Sequence, residues 1–209
     1  MTTPARRHII VVLDRSGSMN RVREDTEGGL NALLDEQRQA PGITTVTLVQ
    51  FDEEVETVYA GRPLGEVPEF ILRPRGMTAL LDAIGTAVLQ EGQRIATLPP
   101  AETPSETTLV ILTDGKDNRS TRFDAGLVRY LINGAQKNDG WTVLFLGANQ
   151  DAFTVGGTLG IPSATTMSFD ASQTQATLTA AGTMVRRGTQ TGEFVFTDEE
   201  RGAAVNRPK

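Results

Sequence analysis

The chain has 209 residues, of which 38% are hydrophobic and 22% are charged, and its formal net charge is −6. These proportions are ordinary for a globular protein, and the length suits one domain, with or without a tail. The negative charge and the lack of a basic run argue against a nucleic-acid partner. The absence of cysteine excludes disulfides and thiolate metal sites. No stretch reaches the roughly 20 apolar residues of a membrane helix, so we expect a cytoplasmic protein.

The first quarter of the chain predicts a strand, a helix and a hairpin. Ile9 to Leu13 are consecutive apolar residues, which is typical of a strand buried on both faces, and we place this strand at residues 8–13. A helix should follow within residues 19–39, where several side chains share one face: Val22, Leu30, Leu33, Leu34 and Gln37. Residues 43–51 and 55–59 alternate apolar and polar side chains. Their short connection predicts an antiparallel hairpin.

The rest of the chain alternates predicted helices and strands. After a loop over 61–75, an apolar stripe that starts at Leu80 predicts a helix with Thr78 as its N-cap. The later elements follow in order: a strand at 107–113, a helix at 124–138, a strand at 141–146, a short helix or capped loop at 149–159, an edge strand at 164–169 and a helix at 172–187. This alternation predicts an α/β fold with a doubly wound, Rossmann-like, mostly parallel sheet of about six strands. One edge strand should be antiparallel, with helices on both faces.

The chain divides by its pattern into a domain and a tail. We assign residues 1–187 to the α/β domain. Residues 188–209 are interpreted as a C-terminal tail that is partly disordered or carries one short helix. Thr197 and Glu200 stand at the spacing of a capping box for that helix.

Two of the predicted strands end in an aspartate, Asp14 and Asp114. If these strands are neighbours in a parallel sheet, the two carboxylates meet at the edge where open α/β folds bind ligands. At about 5 Å and an effective dielectric near 20 they repel by about 3 kcal/mol, so the pair needs a proton or a cation. Neutral oxygens from Ser16, Ser18 and Thr78 would complete an all-oxygen site, which suits Mg²⁺, with Mn²⁺ or Ca²⁺ as alternatives. The simplest competing interpretation makes Asp14 and Ser16 ordinary turn or cap residues.

Three separated motifs carry these oxygen donors, in this order: Asp14-x-Ser16-x-Ser18, the threonine of Gly76-Met77-Thr78-Ala79, and Leu112-Thr113-Asp114-Gly115. Their order and spacing resemble the metal-ion-dependent adhesion site (MIDAS) of the von Willebrand factor type A (vWA) domain. The resemblance covers about residues 7–187. Two further stretches are most similar to the bacterial intracellular or phage-encoded branch: Phe51-Asp52 and Leu80-Leu81-Asp82-Ala83-Ile84.

The resemblance implies a bound divalent ion, with Mg²⁺ as the expected metal. It implies that Ser16, Ser18 and Thr78 coordinate the ion directly or nearly so, and that Asp14 and Asp114 act mostly through water. An Asp or Glu of another protein would fill the remaining coordination position. The N-terminus of the helix after Thr78 would offer backbone donors and the positive end of a dipole to that anion.

Residues beside these motifs should form the rim that contacts the partner, and we expect four of them there: Arg15, Met77, Gly115 and Lys116. Met77 departs from the family pattern, in which Gly or Ser is common, and its larger side chain would narrow the choice of partner. Other polar residues have simpler interpretations. Asp82, Asp117 and Asn118 read as solvated loop or helix-surface residues, and Asp52 and Glu53 read as the turn of the hairpin.

Catalytic interpretations find little support in the sequence. His8 is the only histidine and lies six residues before Asp14 on one strand, roughly 20 Å away, which excludes a Ser-His-Asp relay. No nucleophile-elbow pattern surrounds Ser16 or Ser18, although Lys116 is a candidate activating base. We therefore predict a metal-dependent protein-binding module that is not an enzyme. Two alternatives remain open: a metal-dependent hydrolase that activates water at the same site, and a scaffold whose metal is structural.

Overall fold

Strands and helices alternate along the chain, as the sequence pattern predicts. The computed structural model describes residues 5–148 and 151–205. The strands in these ranges are β1 (Arg6–Asp14), β2 (Ile43–Phe51), β3 (Val55–Pro63), β4 (Glu106–Thr113), β5 (Thr142–Ala148) and β6 (Thr166–Phe169). The α-helices are α1 (Arg23–Arg38), α2 (Leu80–Ala96), α3 (Ala125–Asn138), α4 (Ala152–Thr158), α5 (Thr174–Thr191) and α6 (Asp198–Ala203). No helix of these described ranges is both long and apolar enough to cross a bilayer.

The six strands form one sheet in the order β3-β2-β1-β4-β5-β6. Every neighbouring pair is parallel except β2 and β3, which form the predicted antiparallel edge hairpin. β1 lies in the middle of the sheet, and its successive side chains alternate between two hydrophobic cores. Ile9, Val11 and Leu13 belong to one core, whereas Ile10 and Val12 belong to the other. The unbroken apolar run of β1 is therefore explained by burial on both faces, and the predicted fold class is confirmed.

Helices cover both faces of the sheet. The core with α1 and α5 lies on one face, and the core with α2, α3 and α4 lies on the other. The side chains predicted to share one face of α1 are all buried: Val22, just before the helix, and Leu30, Leu33, Leu34 and Gln37. A turn of 3₁₀-helix over Gly17–Val22 precedes α1. The helix itself therefore begins later than the start of the predicted range.

Close packing of α1 against α5 explains a glycine that weakens the helical pattern. A Cβ atom added to Gly29 would lie 2.8 Å from Leu178 Cδ1 and 3.1 Å from the backbone Cα of Gln175. A Cβ atom added to Gly182 on α5 would lie 2.8 Å from the Cα of Leu33. The two helix backbones therefore approach each other where neither has a side chain.

This packing predicts opposite effects for two adjacent glycines. Gly29→Ala should lower the free energy of unfolding by about 1–3 kcal/mol, because the new methyl group overlaps α5. Gly28→Ala should raise it by up to about 1 kcal/mol, because its Cβ meets only the end of the Gln175 side chain, 3.4 Å from Nε2 and 3.6 Å from Cδ, and alanine favours the helix. Urea unfolding of both variants measures the difference. Equal effects of the two substitutions would contradict the close approach of the helices.

The segment predicted as a loop over 61–75 contributes to the core. β3 continues to Pro63, and the chain after it buries Leu64, Val67, Phe70 and Leu72 beside α1. Side chains of α1 hold this segment by its backbone. The amide of Phe70 donates to Asn31 Oδ1 at 3.2 Å, and the amide of Leu72 donates to Glu27 Oε1 at 2.8 Å. Irregular backbone next to a core requires such partners, and they cannot be identified from periodicity.

The predicted domain boundary at residue 187 falls inside α5, which ends only at Thr191. The described part of the segment after it packs on the domain and buries Phe196 and Ala204. α6 begins with the predicted capping box of Thr197 and Glu200, which is confirmed. The remaining residues of the predicted tail, 206–209, lie outside the described residues, as does the start of the short helix predicted over 149–159.

The last helix closes one edge of the sheet. The Arg201 guanidinium donates hydrogen bonds to the carbonyl oxygens of Thr166, Ser163 and Ala164, at 2.6 Å, 2.8 Å and 3.1 Å. The amide of Phe196 also donates to the carbonyl of Ala164, at 3.1 Å. The carbonyl groups at the start of β6 are thus occupied, which protects an edge strand from pairing with another chain.

Candidate metal centre

Three strands release an aspartate at the same edge of the sheet. β1 ends at Asp14, and Asp52 and Asp114 directly follow β2 and β4. β1 and β4 are parallel neighbours, with Leu13 paired to Leu112, so the condition for bringing Asp14 and Asp114 together is met. The helices that follow β1 and precede β4, α1 and α2, lie on opposite faces of the sheet. This edge is therefore the topological switch point at which such sheets bind ligands.

Asp14 is fully buried and fixed at both carboxylate oxygens. Its Oδ1 accepts a hydrogen bond from the Ser16 amide at 2.7 Å, and its Oδ2 accepts one from Thr113 Oγ1 at 2.6 Å. Burial raises the pKa of Asp14 to about 6, and these hydrogen bonds oppose the rise. The carboxylate therefore has a fixed orientation and an unfavourable charge that a cation would stabilise.

Hydroxyl groups connect the β1 end to the β4 end. Ser16 Oγ lies 3.0 Å from Ser18 Oγ, and Ser18 Oγ donates to Asp114 Oδ1 at 2.6 Å. The Asp114 side chain is only 2% exposed. These separations are ordinary hydrogen-bond lengths. They are also compatible with neighbouring ligands of an octahedral ion that binds at 2.0–2.1 Å, which lie about 2.9 Å apart.

The loop before α2 brings Thr78 to the same place. The Gly17 amide donates to the carbonyl of Gly76 at 3.1 Å, and the Thr78 amide donates to Asn118 Oδ1 at 3.0 Å. A Cβ atom on Gly115 would lie 3.3 Å from Thr78 Oγ1, so the hydroxyl lies beside the residue after Asp114. The structure thus brings together all five residues predicted as metal ligands: Asp14, Ser16, Ser18, Thr78 and Asp114.

The N-terminus of α2 differs from the expectations in two respects, and the N-cap assignment is wrong. The N-cap is Ala79, without a side-chain hydrogen bond, and not Thr78. The second and third amides of the helix are already occupied, because the Leu81 amide donates to Asp117 Oδ1 at 3.2 Å and the Asp82 amide donates to Ser120 Oγ at 2.9 Å. These two donors are therefore not free for an incoming anion.

The loop between β4 and α3 depends on polar residues that the sequence interpretation treated as solvated. Asp82 is buried and accepts the amide hydrogens of Thr121, Arg122 and Phe123, at 2.9–3.0 Å. Asp117 also accepts the Leu81 amide of α2, and Asn118 accepts the Thr78 amide. The interpretation as a solvated residue is therefore wrong for Asp82, whereas Asn118 is exposed and Asp117 is partly exposed, although both also accept backbone hydrogen bonds. Backbone polar groups of an irregular segment need partners, and these side chains supply them.

Arg15 is not part of the partner-facing rim. It is 6% exposed, and its Nε donates to Asp52 Oδ2 at 2.8 Å while Nη1 donates to Glu56 Oε2 at 2.5 Å. Arg75 Nε donates to the same Asp52 oxygen at 2.7 Å. Burial favours a higher pKa for Asp52, but hydrogen bonds from the Glu54 amide and the two guanidinium groups hold it below its usual value. Asp52 lies in the hairpin turn, and its buried carboxylate also accepts hydrogen bonds from Arg15 and Arg75.

The other expected rim residues lie at the surface. Met77 is 44% exposed, Lys116 is exposed and Gly115 is partly exposed. Arg21 also reaches this edge, with Nη2 4.0 Å from Asp114 Oδ2. Neither Arg21 nor Thr113 was singled out from the sequence. Thr113 is the last residue of the buried strand β4, directly before Asp114, and this position is the feature that points to it.

The raised pKa of Asp14 predicts how the metal-free protein responds to pH. Because the folded state binds this proton more tightly than the unfolded state, Asp14 contributes stability below its ordinary pKa of 3.8, and this contribution is lost as the pH rises through about 6. The loss amounts to about 3 kcal/mol. Urea unfolding in chelator from pH 4 to pH 7 should show this fall for the wild type relative to Asp14→Asn. A difference in the free energy of unfolding between the two proteins that stays constant over this pH range would contradict the raised pKa of Asp14.

Comparisons with known proteins show a shared fold. No family model matches the chain, and no curated protein matches it in sequence. Among solved structures, proximal thread matrix protein 1 from the mussel byssus, with a zinc-occupied MIDAS motif, aligns over 86% of this chain with 16% identity and a TM-score of 0.61. A von Willebrand factor type A protein from Catenulispora acidiphila aligns over 85% of the chain with 18% identity and a TM-score of 0.57.

The chain spans about half the length of these two structures, 48% and 43% respectively. It covers 97% of the vWF domain of the type V pili tip protein Mfa5 from Porphyromonas gingivalis, which covers 91% of this chain with 13% identity and a TM-score of 0.58. The protein therefore has the von Willebrand factor type A fold. A bacterial or phage-encoded branch stays a prediction.

Proposed function

We propose that this protein is a metal-dependent binding module that holds an acidic residue of another protein at the edge formed by β1 and β4. The observation that carries the proposal is the hydrogen-bonded series from Ser16 through Ser18 to Asp114, with buried Asp14 behind it. When bound, Mg²⁺, or Mn²⁺ or Ca²⁺ in its place, would supply the positive charge that attracts the partner's carboxylate.

The donor set suits that role. Asp14 and Asp114 provide two carboxylates for a divalent ion, and the hydroxyls of Ser16, Ser18 and Thr78 are neutral. Neutral donors do not reduce the positive charge of the ion, so it can still attract one more anion. Further carboxylates from the protein would reduce that attraction. The zinc-occupied MIDAS motif of the mussel protein supports metal binding on this fold and shows that ions other than Mg²⁺ can occupy such a motif.

The connections between the loops favour a site that is already assembled before the partner arrives. Thr113 and the Ser16 amide fix Asp14, and Asn118 fixes the backbone at Thr78. The Arg75 amide also donates to the carbonyl of Arg15 at 2.8 Å, which joins the loops before α2 and after β1. A preorganised site loses less conformational entropy on binding, so a single carboxylate contributes more to affinity.

Chelator-sensitive capture of a partner tests the proposal. Wild-type protein in Mg²⁺ should retain a partner that is released by EDTA, and Thr78→Ala should retain it at least tenfold more weakly. Thr179→Ala is the control, because Thr179 is a partly exposed helical threonine on the face of the sheet opposite α2 and should behave as wild type. Replacing the metal-binding Asp or Glu of the captured partner by Asn or Gln should also release the partner.

The alternatives give different results. Capture that survives both EDTA and Thr78→Ala would replace the proposal by a scaffold with a structural metal. Phosphatase, nuclease and esterase assays should be blank. Metal-dependent turnover that disappears in Asp114→Ala would instead favour a hydrolase.

A further inference from the structure

A small apolar pocket lies beside the candidate metal centre, and the proposed function does not use it. Its volume is about 220 Å³, and it lies between the first turn of α2, the loop after β4 and α4. Its apolar lining residues are Leu80, Leu81, Ala125, Val155 and Leu159. Its polar lining residues are Lys116, Asp117, Thr154 and Thr158. Pockets for drug-sized ligands measure about 300–1,000 Å³, so this one suits a single side chain.

The pocket is continuous with the loops that carry two of the predicted metal ligands. Leu80 follows Thr78 by two residues, and Lys116 follows Asp114 by two residues. Two residues of chain span at most about 7.2 Å between Cα atoms, so residues of the pocket wall lie within that distance of residues predicted to hold the metal.

The pocket is preformed. Leu80 and Leu159 are almost fully buried and belong to the core, so they provide a fixed base. Asp117 Oδ1 accepts the Leu81 amide, which ties the loop after β4 to α2. Asp151 accepts the Thr154 amide at 3.1 Å and caps α4 on the other side. Binding here needs no new ordering of the protein.

The charge around this surface favours an acidic ligand. Four cationic side chains lie in the loops that bear the metal ligands and are exposed there: Arg21, Arg75, Lys116 and Arg119. Arg75 is paired with Asp52 and Glu54, Arg119 lies 3.9 Å from Glu53 and Arg21 lies 4.0 Å from Asp114, so Lys116 is the cation of these four that is not in such a pair among the described residues. Lys116 lines the pocket itself, and within the described part of the chain it forms no ion pair shorter than 4.0 Å. An acidic segment would therefore be attracted to both the metal centre and the pocket mouth.

We propose that the pocket receives an aliphatic side chain, Leu, Ile or Met, of the same acidic partner segment whose carboxylate is held at the metal centre. This inference rests on the proposed function and specifies its partner. In an extended segment, residues two apart lie on one face and about 6.5–7 Å apart, so the aliphatic residue stands two positions from the Asp or Glu. Burial of such a side chain strengthens binding about tenfold to hundredfold.

Short synthetic peptides test the inference directly. Three blocked hexapeptides differ at two positions that lie two residues apart: the pairs are Glu and Leu, Glu and Ala, and Gln and Leu. Each peptide is made in two versions, one with Leu or Ala before the Glu or Gln and one with Leu or Ala after it. In Mg²⁺, fluorescence anisotropy should show that a Glu–Leu peptide binds at least tenfold more tightly than its Glu–Ala counterpart. The methyl NMR signals of Leu81, Val155 and Leu159 should shift only with the leucine peptides.

A filled pocket provides the matched control. Thr158→Trp should remove the tenfold preference for Leu and leave Glu–Ala binding unchanged, because Thr158 lines the pocket and is exposed. Thr179→Trp should keep the preference. Thr179 is likewise a helical threonine whose hydroxyl donates to the carbonyl four residues earlier, but it is only partly exposed and lies on α5.

The outcomes separate this inference from the proposed function. Equal binding of the Glu–Leu and Glu–Ala peptides, or pocket methyl signals that no leucine peptide moves, would overturn the inference. Failure of the proposed function appears separately, as a melting temperature that Mg²⁺ and Mn²⁺ do not change. In that case the Gln–Leu peptide at millimolar concentration still reports on the pocket through the same methyl signals.

Discussion

Asp14→Asn should abolish the rise in melting temperature that Mg²⁺ gives the wild-type protein. Binding to the folded state alone adds about 2.7 kcal/mol at a hundredfold excess over the dissociation constant. For a domain of this size that corresponds to roughly 5–11 °C. Asparagine removes one of the two carboxylate charges and puts an amide donor where Asp14 accepts hydrogen bonds from Ser16 and Thr113. Differential scanning calorimetry with Mg²⁺ and with EDTA measures the effect.

Asp124→Asn is the control for the loss of one negative charge. Asp124 is the N-cap of α3 and accepts the Leu127 amide, a role that asparagine performs about as well. This variant should keep the full Mg²⁺-dependent rise. A rise that persists in Asp14→Asn would show that the ion binds elsewhere. A wild-type protein insensitive to Mg²⁺ and Mn²⁺ at millimolar concentration would contradict the site itself.

Arg15→Met should destabilise the protein by about 3 kcal/mol, because removing one partner of a buried ion pair leaves the other uncompensated. Asp52 keeps the hydrogen bonds from Arg75 and the Glu54 amide, which places the expected loss at the lower end of the usual range. Glu56 loses the Arg15 Nη1 donor. The free energy of unfolding in urea measures the change.

Arg23→Met is the comparison for this prediction. Its ion pair with Glu24 is exposed and 3.7 Å long, so its loss should change stability by less than about 1 kcal/mol. If both variants unfold at the same urea concentration, the ion pairs of Arg15 with Asp52 and Glu56 do not hold the β2–β3 hairpin to the loop after β1.

The sheet and the meeting of the site residues could be predicted because both follow from strand patterns. The apolar runs that end at Asp14 and Asp114 identify central strands, and parallel neighbours release their last residues at one edge. Ser16 and Ser18 are close to Asp14 in sequence. Thr78 is the residue that strand patterns place least directly, because it lies in a loop that follows the β2–β3 hairpin, and the resemblance to a known motif supports its place in the site.

The roles of Arg15, Asp82 and the last described residues could not be predicted for a common reason. A residue at a strand end can turn towards the ligand or towards the neighbouring hairpin, and tertiary contacts decide this for Arg15. Asp82 is buried because a distant loop has backbone amides to satisfy. The segment after α5 is mostly polar and buries only isolated side chains such as Phe196, so its pattern does not differ from that of a solvated tail.

The pairing of Asp52 with Arg15 and Arg75 would also limit how many cations this edge of the sheet can hold. Three aspartates emerge there side by side, and three ionised carboxylates without counterions could recruit a second cation. Two guanidinium groups neutralise Asp52 internally, so only Asp14 and Asp114 remain to balance a metal. Asp14 and Asp114 would therefore be left to bind one divalent ion, and their two negative charges equal its two positive charges.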